Sequence, residues 1–266
     1  MRHYLTLGFD RNDLRFTYNL FKMNVRDRYL GSLLGGVWAF ASPASLFAIY
    51  TFVFGFVFKS KIPGAESSLG FAIWLIAGYG AWLAIMESLN SSTHSVVGAA
   101  GMVRNMTFKT EVLPIAAAFT GLLPLLVSLV FMSTLLVIDG NYPTWHALLI
   151  IPNVVVHFSF VVALGMYCSV INVFSRDFGF ALPSVLIMIL FASPIFYQVS
   201  SMPRVIQKVS FLNPVYIICE SYRQIFLFHE VPSPLRMLYV FGLSVALFLI
   251  GLRFFRRTKG HFDSAL

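Results

Sequence analysis

Charge is scarce in this sequence. Asp, Glu, Lys and Arg together make up 11% of the 266 residues, whereas hydrophobic residues make up 58%. Such a composition excludes a water-soluble globule of this size, because there is too little polar surface to coat it. We therefore predict an integral membrane protein, with lipid as the solvent for most of the chain.

Residues that carry redox, metal or phosphate chemistry are also few. The two cysteines, Cys168 and Cys219, are too few for a disulfide framework, and the six histidines form no metal-binding motif. No G-x-x-x-x-G-K-S/T phosphate loop occurs, which excludes ATP hydrolysis by that mechanism. We predict that the chain is not an enzyme and has no metal site or cofactor of its own.

Carboxylates are nearly missing from the long apolar stretches. Glu87, Glu111 and Asp139 all lie at the ends of such stretches. Proton- and sodium-coupled carriers usually need buried charges, so this distribution argues against such a carrier. His157 alone among the histidines falls within a predicted span; it either belongs to a functional site or bonds to a backbone carbonyl or a neighbouring hydroxyl.

Long uncharged runs, by contrast, are abundant. A bilayer core about 30 Å thick needs roughly 20 apolar residues per helix, and by this criterion the chain has about six spans. The predicted fold class is thus an all-α membrane protein, with a cytoplasmic arm at 1–33, a transmembrane domain at 34–254 and a cytoplasmic tail at 255–266. The spans are predicted at 34–58, 69–89, 112–138, 152–174, 178–197 and 237–252.

The positions of Lys and Arg predict the orientation. Of these 19 residues, about 13 lie in the N-terminal arm, the loop from Asn90 to Glu111, the turn from Ser175 to Asp177 and the tail. Because this excess marks the cytoplasmic side, both termini are predicted to be cytoplasmic. The net charge of +8 does not indicate a nucleic-acid partner, because the basic residues flank apolar spans instead of forming a nucleic-acid module.

Two segments have patterns that suit neither loops nor spans. Residues Asn12 to Tyr29 place apolar side chains at spacings of three and four, with basic residues between them. This pattern predicts an amphipathic helix lying on the inner leaflet. Between Met202 and Pro232 the apolar runs are too short to cross, so we predict short re-entrant helices between spans five and six.

Four strings occur in the order and spacing of a transporter family: RDRYLGSLLGGVWAFASP from Arg26, FKTEVLP from Phe108, SRD from Ser175 with SPIFY after it, and NPVYIICESYR from Asn213. In these strings the chain resembles the permease subunits of type-2 ABC exporters for bacterial polysaccharides such as O-antigen, capsule or teichoic acid. The resemblance implies export of a lipid-linked polysaccharide across the bacterial inner membrane. It also implies a homodimer with two copies of a separate ABC ATPase, which uses ATP and Mg.

The resemblance also implies that the loop after span two forms a coupling helix that docks on the ATPase. The alternative is an ordinary amphipathic loop. Family members often read F-P-R-E-x-L-P here, whereas Lys109 and Thr110 replace the proline and arginine, so no family role is carried over to Lys109. The residues expected to couple to the ATPase are Arg104, Phe108, Glu111, Arg176 and Asp177.

Five aromatic residues of the first span recur at spacings of seven, three, four and four, which places them in one stripe on a helix. They are Phe40, Phe47, Tyr50, Phe54 and Phe58. Aromatic rings pack on the C–H faces of sugars, so we predict that the stripe lines the path of a sliding polymer. The alternative is a stripe that faces lipid or packs against another helix.

Two arginines lie where the amphipathic helix meets the first span. Arg26 and Arg28 either bind the pyrophosphate of a lipid-linked substrate by charge-assisted hydrogen bonds or act only as positive-inside anchors. Two other functions stay open. One is a type-2 ABC permease for a drug or a lipid, and the other is a membrane enzyme acting on polyprenyl-linked sugars.

Overall fold

The computed structural model describes residues 8–28, 35–58, 67–105, 108–142, 144–199 and 202–266, and within these ranges it contains helices and no strands. The predicted all-α class is confirmed. The helices are α1 (Arg11–Asp27), α2 (Val37–Tyr50), α3 (Ser68–Gly98), α4 (Ala100–Asn105), α5 (Val112–Ala118), α6 (Leu122–Ile138), α7 (Ile150–Phe174), α8 (Asp177–Ala192), α9 (Arg204–Ser210), α10 (Pro214–Phe226), α11 (Pro234–Thr258) and α12 (Phe262–Ala265).

Five helical segments among the described residues are long and apolar enough to cross a membrane. Short 3-10 or π-helical pieces join neighbouring helices within several of them. The multi-pass membrane architecture predicted from hydropathy is thus supported, with helix ends that differ from the predicted ones by up to about nine residues. The five segments are Val37–Val57, Leu69–Gly98, Val112–Ile138, Trp145–Phe174 and Pro234–His261.

The helix at the fifth predicted span is shorter than expected. Helix α8 has 16 residues and is therefore about 24 Å long, against a hydrocarbon core of about 30 Å. It ends because Ser193 precedes Pro194 and takes an extended conformation, as the proline ring requires. A count of six spans is not confirmed and stays a prediction.

Helix α3 forms the centre of the bundle. Of its most apolar 18-residue window, 83% is buried, compared with 17% for the first span. It packs against α5, α6, α7 and α10. Gly121 permits one of these approaches, because a Cβ atom there would lie 2.4 Å from the backbone oxygen of Ala84.

The first span is regular only in its first half. After α2 the residues Thr51–Val57 form a π-helix, and the Thr51 hydroxyl donates a hydrogen bond to the Phe47 carbonyl, at 2.8 Å. The π-helix leaves Phe52 and Phe56 61% and 60% exposed. Most of this span is thus uncovered by the rest of the chain.

Between α8 and α11 the chain forms the short helices α9 and α10. Helix α10 begins where the Asn213 side chain accepts hydrogen bonds from the backbone N–H groups of Val215 and Tyr216, with Pro214 at the first helical position. Most of its side chains are buried against α3 and α7. These helices occupy the segment where re-entrant helices are predicted; their depth in the membrane stays a prediction.

Helix α1, the loop before α5, and the C-terminal end of α11 meet at one end of the bundle. Lys109 contacts Asp13 there, and Arg256 contacts Glu111. At the opposite end the Ser67 hydroxyl donates a hydrogen bond to Asp139, at 3.0 Å, joining the start of α3 to the end of α6. We call the first end the loop end and the second the far end.

Candidate functional site

The segment 108–111 lies against α1 at the loop end. The ammonium group of Lys109 donates a hydrogen bond to the Asp13 carboxylate at 2.5 Å, and a second one to the Gly8 carbonyl. This hydrogen bond lowers the pKa of Asp13 and raises the pKa of Lys109 from their ordinary values. The Phe108 ring meets the Phe16 ring edge-on, with centroids 5.4 Å apart. A charged contact and an aromatic contact thus join the segment to one helix.

The same segment also lies against the C-terminal end of α11. Glu111 is 1% exposed; its carboxylate accepts a hydrogen bond from Arg256 Nε at 2.9 Å and lies 3.5 Å from Lys259 Nζ. The carboxylate is therefore directed into the chain. Contact of Glu111 and Phe108 with an ATPase stays a prediction.

The other residues predicted to couple to an ATPase are exposed at the loop end. Arg104 lies in the last turn of α4, and Arg176 and Asp177 lie where α8 begins. All three are exposed, and a guanidinium nitrogen of Arg176 is 3.4 Å from the carbonyl oxygen of Leu266. The structure thus brings the predicted coupling residues to one end, where Glu111 is buried and Arg104, Arg176 and Asp177 are exposed.

A cavity of about 710 Å³ opens beside these contacts, between α1, α3, α4 and α5. Arg28 lines it and forms an ion pair with Glu87. Arg26 is exposed and is not among its lining residues. Further polar lining comes from Asn24, Asp27, Asn90, Ser91, His94 and Ser95. The cavity is therefore polar enough to hold a hydrated or charged group.

The aromatic stripe of the first span is only partly accessible. Phe47 is fully buried, Tyr50 and Phe54 are half-buried, and Phe40 and Phe58 are exposed. The irregular π-helix and the packing of neighbouring helices divide the stripe, so the rings do not share one environment. That the five rings line the path of a polymer stays a prediction.

Tyr50 and Phe54 belong instead to a wider aromatic cluster. Tyr50 lies edge-on to Tyr79 of α3, with ring centroids 5.3 Å apart, and its centroid is 6.3 Å from that of Phe196. Phe54 meets Phe71 at 5.4 Å. Spacing along one helix does not single out these three partners, because their positions follow from helix packing.

Comparison with known proteins identifies the family. Residues 16–227 match the family model described as ABC-2 type transporter, which is well over half of the chain. The chain belongs to the ABC-2 transporter family. This membership confirms the resemblance inferred from the four sequence strings.

Curated relatives of this ABC-2 transporter chain match it over nearly their whole length. It is 26% identical over 250 residues to the O-antigen export system permease protein RfbA of Myxococcus xanthus, covering 93% of this chain and 94% of the relative. It is 24% identical over 248 residues to the protein of the same name from Klebsiella pneumoniae, covering 91% and 92%.

One feature of this ABC-2 chain, a buried arginine near the far end, was not selected from the sequence. Arg223 of α10 is 0% exposed, and it donates hydrogen bonds to the Trp74 and Ile195 carbonyls, at 3.0 and 2.5 Å. It also bonds to Glu220 at 3.0 Å, and it lies over the Trp74 ring at 3.7 Å. Only its place in the string NPVYIICESYR gave a signal.

The intramembrane histidine has a local partner. His157 Nδ1 lies 3.1 Å from the Tyr222 hydroxyl, whereas Nε2 has no hydrogen-bond partner among the described residues. The geometry fits the alternative in which a neighbouring hydroxyl satisfies the ring. No group of three or more His, Cys, Asp or Glu side chains suited to a metal ion occurs in the part of the chain that the structure describes.

Proposed function

We propose that this ABC-2 chain is the membrane subunit of an ATP-driven exporter that moves a lipid-linked polysaccharide across the bacterial inner membrane. The observation that carries the proposal is the near full-length match to O-antigen export permeases. A match over 93% of this chain and 94% of the relative extends well beyond a few shared membrane helices.

The translocation path is proposed to form between two copies of the chain. The first span is 17% buried over its most apolar window, and α8 exposes Phe180, Met188 and Phe191 at 84%, 63% and 61%. Two such faces suit contact with a second copy. A path between two chains also suits a wide polymer, because one bundle of about six spans is too small to enclose it.

The loop end is proposed to face the cytoplasm and to dock on two copies of a separate ATPase, which bind ATP and Mg. Exposed Arg104, Arg176 and Asp177 supply the charged groups of this surface. Both chain ends are then cytoplasmic, because α1 and the C-terminal end of α11 both lie at the loop end. ATP-driven closure of the ATPase pair would move this end as a rigid body.

The cavity beside α1 is proposed to receive the phosphate-containing head of the substrate. Arg28 lines it, and a guanidinium binds phosphate oxygens through charge-assisted, bidentate hydrogen bonds. The ion pair with Glu87 would hold the guanidinium in place until a phosphate displaces the carboxylate. Arg26, which is exposed nearby, would attract the anionic head or anchor the helix.

An enzyme acting on polyprenyl-linked sugars is the weaker alternative. Such an enzyme needs carboxylates free for acid or base chemistry. The three available carboxylates are isolated from one another in the sequence: Glu87 and Glu111 are each paired with an arginine, and Asp177 is exposed at the start of α8. A permease for a drug or a different lipid keeps the same architecture and is distinguished by the cargo.

Export is tested directly in a strain that lacks this gene but keeps its ATPase gene. The expected result is loss of surface polysaccharide with polymer accumulating in the cytoplasm, and restoration by the wild-type chain. Binding of a polysaccharide-specific antibody to intact and to permeabilised cells measures the surface pool and the total pool. Unchanged surface polysaccharide would contradict the proposed function.

The proposed orientation makes a separate prediction. Single cysteines introduced at Arg104 and at Asn141, in a chain whose native cysteines are replaced, should react differently with an impermeant thiol reagent applied from outside. We expect labelling at Asn141, which is exposed next to the end of α6, and none at Arg104 until the membrane is opened. Labelling of the cysteine at position 104 in sealed cells would contradict the proposed orientation.

A further inference from the structure

We infer that the segment 108–111 fastens the docking surface to α1 on one side and to α11 on the other, with Lys109–Asp13 and Glu111–Arg256 as positioning pairs. A displacement of the loop end is thereby delivered to the wall of the cavity beside α1 and to the last span. The inference rests on the proposed docking to an ATPase.

The contacts to α1 are close and of two kinds. Asp13 and Phe16 are three residues apart, so they lie on one face of α1, and they receive Lys109 at 2.5 Å and Phe108 with ring centroids 5.4 Å apart. The Asp13 carboxylate also accepts a hydrogen bond from the Asp10 backbone N–H at 2.8 Å. Lys109 is therefore tied to the first turn of the helix.

The contacts to α11 are more deeply buried. The Glu111 side chain is 2% exposed and that of Arg256 12%. Breaking such a pair leaves a charge in a poorly hydrated place, which is costly. The ring of Phe255, which precedes Arg256, meets the Phe262 ring edge-on, with centroids 5.3 Å apart. The residues after α11 therefore pack against its C-terminal end. The pair thus joins the loop to a well-packed helix end.

Helix α5 keeps the segment from moving independently of its neighbours. Val112, Leu113 and Ala116 are all buried, packed in one cluster with Leu20 of α1 and Leu252 of α11. A segment held on both sides and continued by a buried helix transmits displacement, because packed interiors deform little.

The consequence for the substrate concerns α1. Its last turns supply Leu20, Asn24 and Asp27 to the cavity wall, and Arg28 follows directly. A shift of α1 relative to α3 changes the distance between Arg28, which directly follows α1, and Glu87, which lies on α3. Docking at the loop end would therefore open or close the proposed headgroup site through Lys109 and Asp13, neither of which touches substrate.

A charge swap tests the α1 side. Asp13→Lys and Lys109→Asp are made singly and together, and polymer export per ATP hydrolysed is measured for permease–ATPase complexes in proteoliposomes loaded with the host's lipid-linked polysaccharide. Each single change should lower the ratio about tenfold, a typical size for an allosteric coupling. The double change should restore most of it. Arg15→Asp, an exposed charge reversal on α1, is the control and should leave the ratio unchanged.

The α11 side is tested by neutralisation. Arg256→Gln should lower the ratio, because it leaves the buried Glu111 carboxylate with the more distant Lys259, at 3.5 Å. Adding Glu111→Gln should recover part of the ratio, because the poorly paired buried charge is then removed. Equal ratios in all variants, or double variants no better than the singles, would overturn the inference. Absence of export by the wild-type complex would instead count against the proposed function, which keeps the two failures distinct.

A measurement of the distance between α1 and α3 tests the inference even in variants that transport poorly for other reasons. Spin labels at Asn19→Cys on α1 and Gly98→Cys on α3, in a chain without native cysteines, report the separation of the two walls. Gly98 has open space around its Cβ position. We expect the distance to change on ATP addition in the wild-type background and to stay constant with Lys109→Asp. A change of equal size in both would overturn the inference.

Discussion

Replacing Arg223 with methionine is expected to abolish export and to lower the amount of folded protein in the membrane. The guanidinium is buried and bonds to the Trp74 and Ile195 carbonyls and to Glu220. Methionine retains the bulk but leaves all three oxygens without their donor. Breaking a buried pair in this way costs about 3–5 kcal/mol, a large part of the stability of a typical domain.

The measurements are the level of the protein in purified membranes and its thermal unfolding in detergent, followed by size-exclusion fluorescence. Arg236→Met is the matched control, because Arg236 is only half-buried and its guanidinium lies over the Phe211 ring at 4.3 Å. Arg223→Lys should recover little, because an ammonium group does not reproduce the fork geometry. If Arg223→Met unfolds at the same temperature as Arg236→Met, the bonding of Arg223 contributes no stability.

The spans could be predicted from sequence because hydropathy is a local property. Their ends could not be predicted as well. Helix α3 continues to Gly98, beyond the predicted end at residue 89, because polar side chains find partners inside the bundle. The Thr93 hydroxyl donates to the Leu89 carbonyl at 2.7 Å, and the Ser92 hydroxyl donates to the Pro114 carbonyl at 3.0 Å. Hydropathy treats both residues as the end of a span.

The partners at the loop end could not be read from the sequence. Glu111 and Arg256 are 145 residues apart in the chain, and Lys109 and Asp13 are 96 apart. Charge patterns identify which residues are acidic or basic, but pairing depends on how helices pack. The carboxylate of Glu111 pairs with Arg256 of α11, and contact of Glu111 with an ATPase stays a prediction. The four sequence strings identified the family correctly because they are local patterns.

The aromatic stripe gives the second large expected effect. If Tyr50 and Phe54 contact the moving polymer, leucine at either position removes a stacking surface. The nearest measured analogue, a nucleic-acid base on an aromatic side chain, is worth about 1–3 kcal/mol, so export should fall about fivefold or more. Tryptophan keeps an aromatic face and should preserve export. The measurement is export rate at equal expression level.

The packing of Tyr50 against Tyr79 and Phe196 makes a second measurement necessary, because leucine also removes edge-on ring contacts within the chain. Thermal unfolding separates the two effects. If the ring serves the polymer path, Tyr50→Leu should lower export with little change in unfolding temperature. If the ring serves packing alone, both should fall together.

Phe56→Leu is the control for the stripe, because Phe56 lies in the same π-helix and is 60% exposed but does not belong to the stripe. It should leave export and unfolding unchanged. Export that is equal for leucine and tryptophan at both Tyr50 and Phe54 would contradict an aromatic path in the first span. The rings would then act as packing between the first span and α3, where the polymer does not reach them.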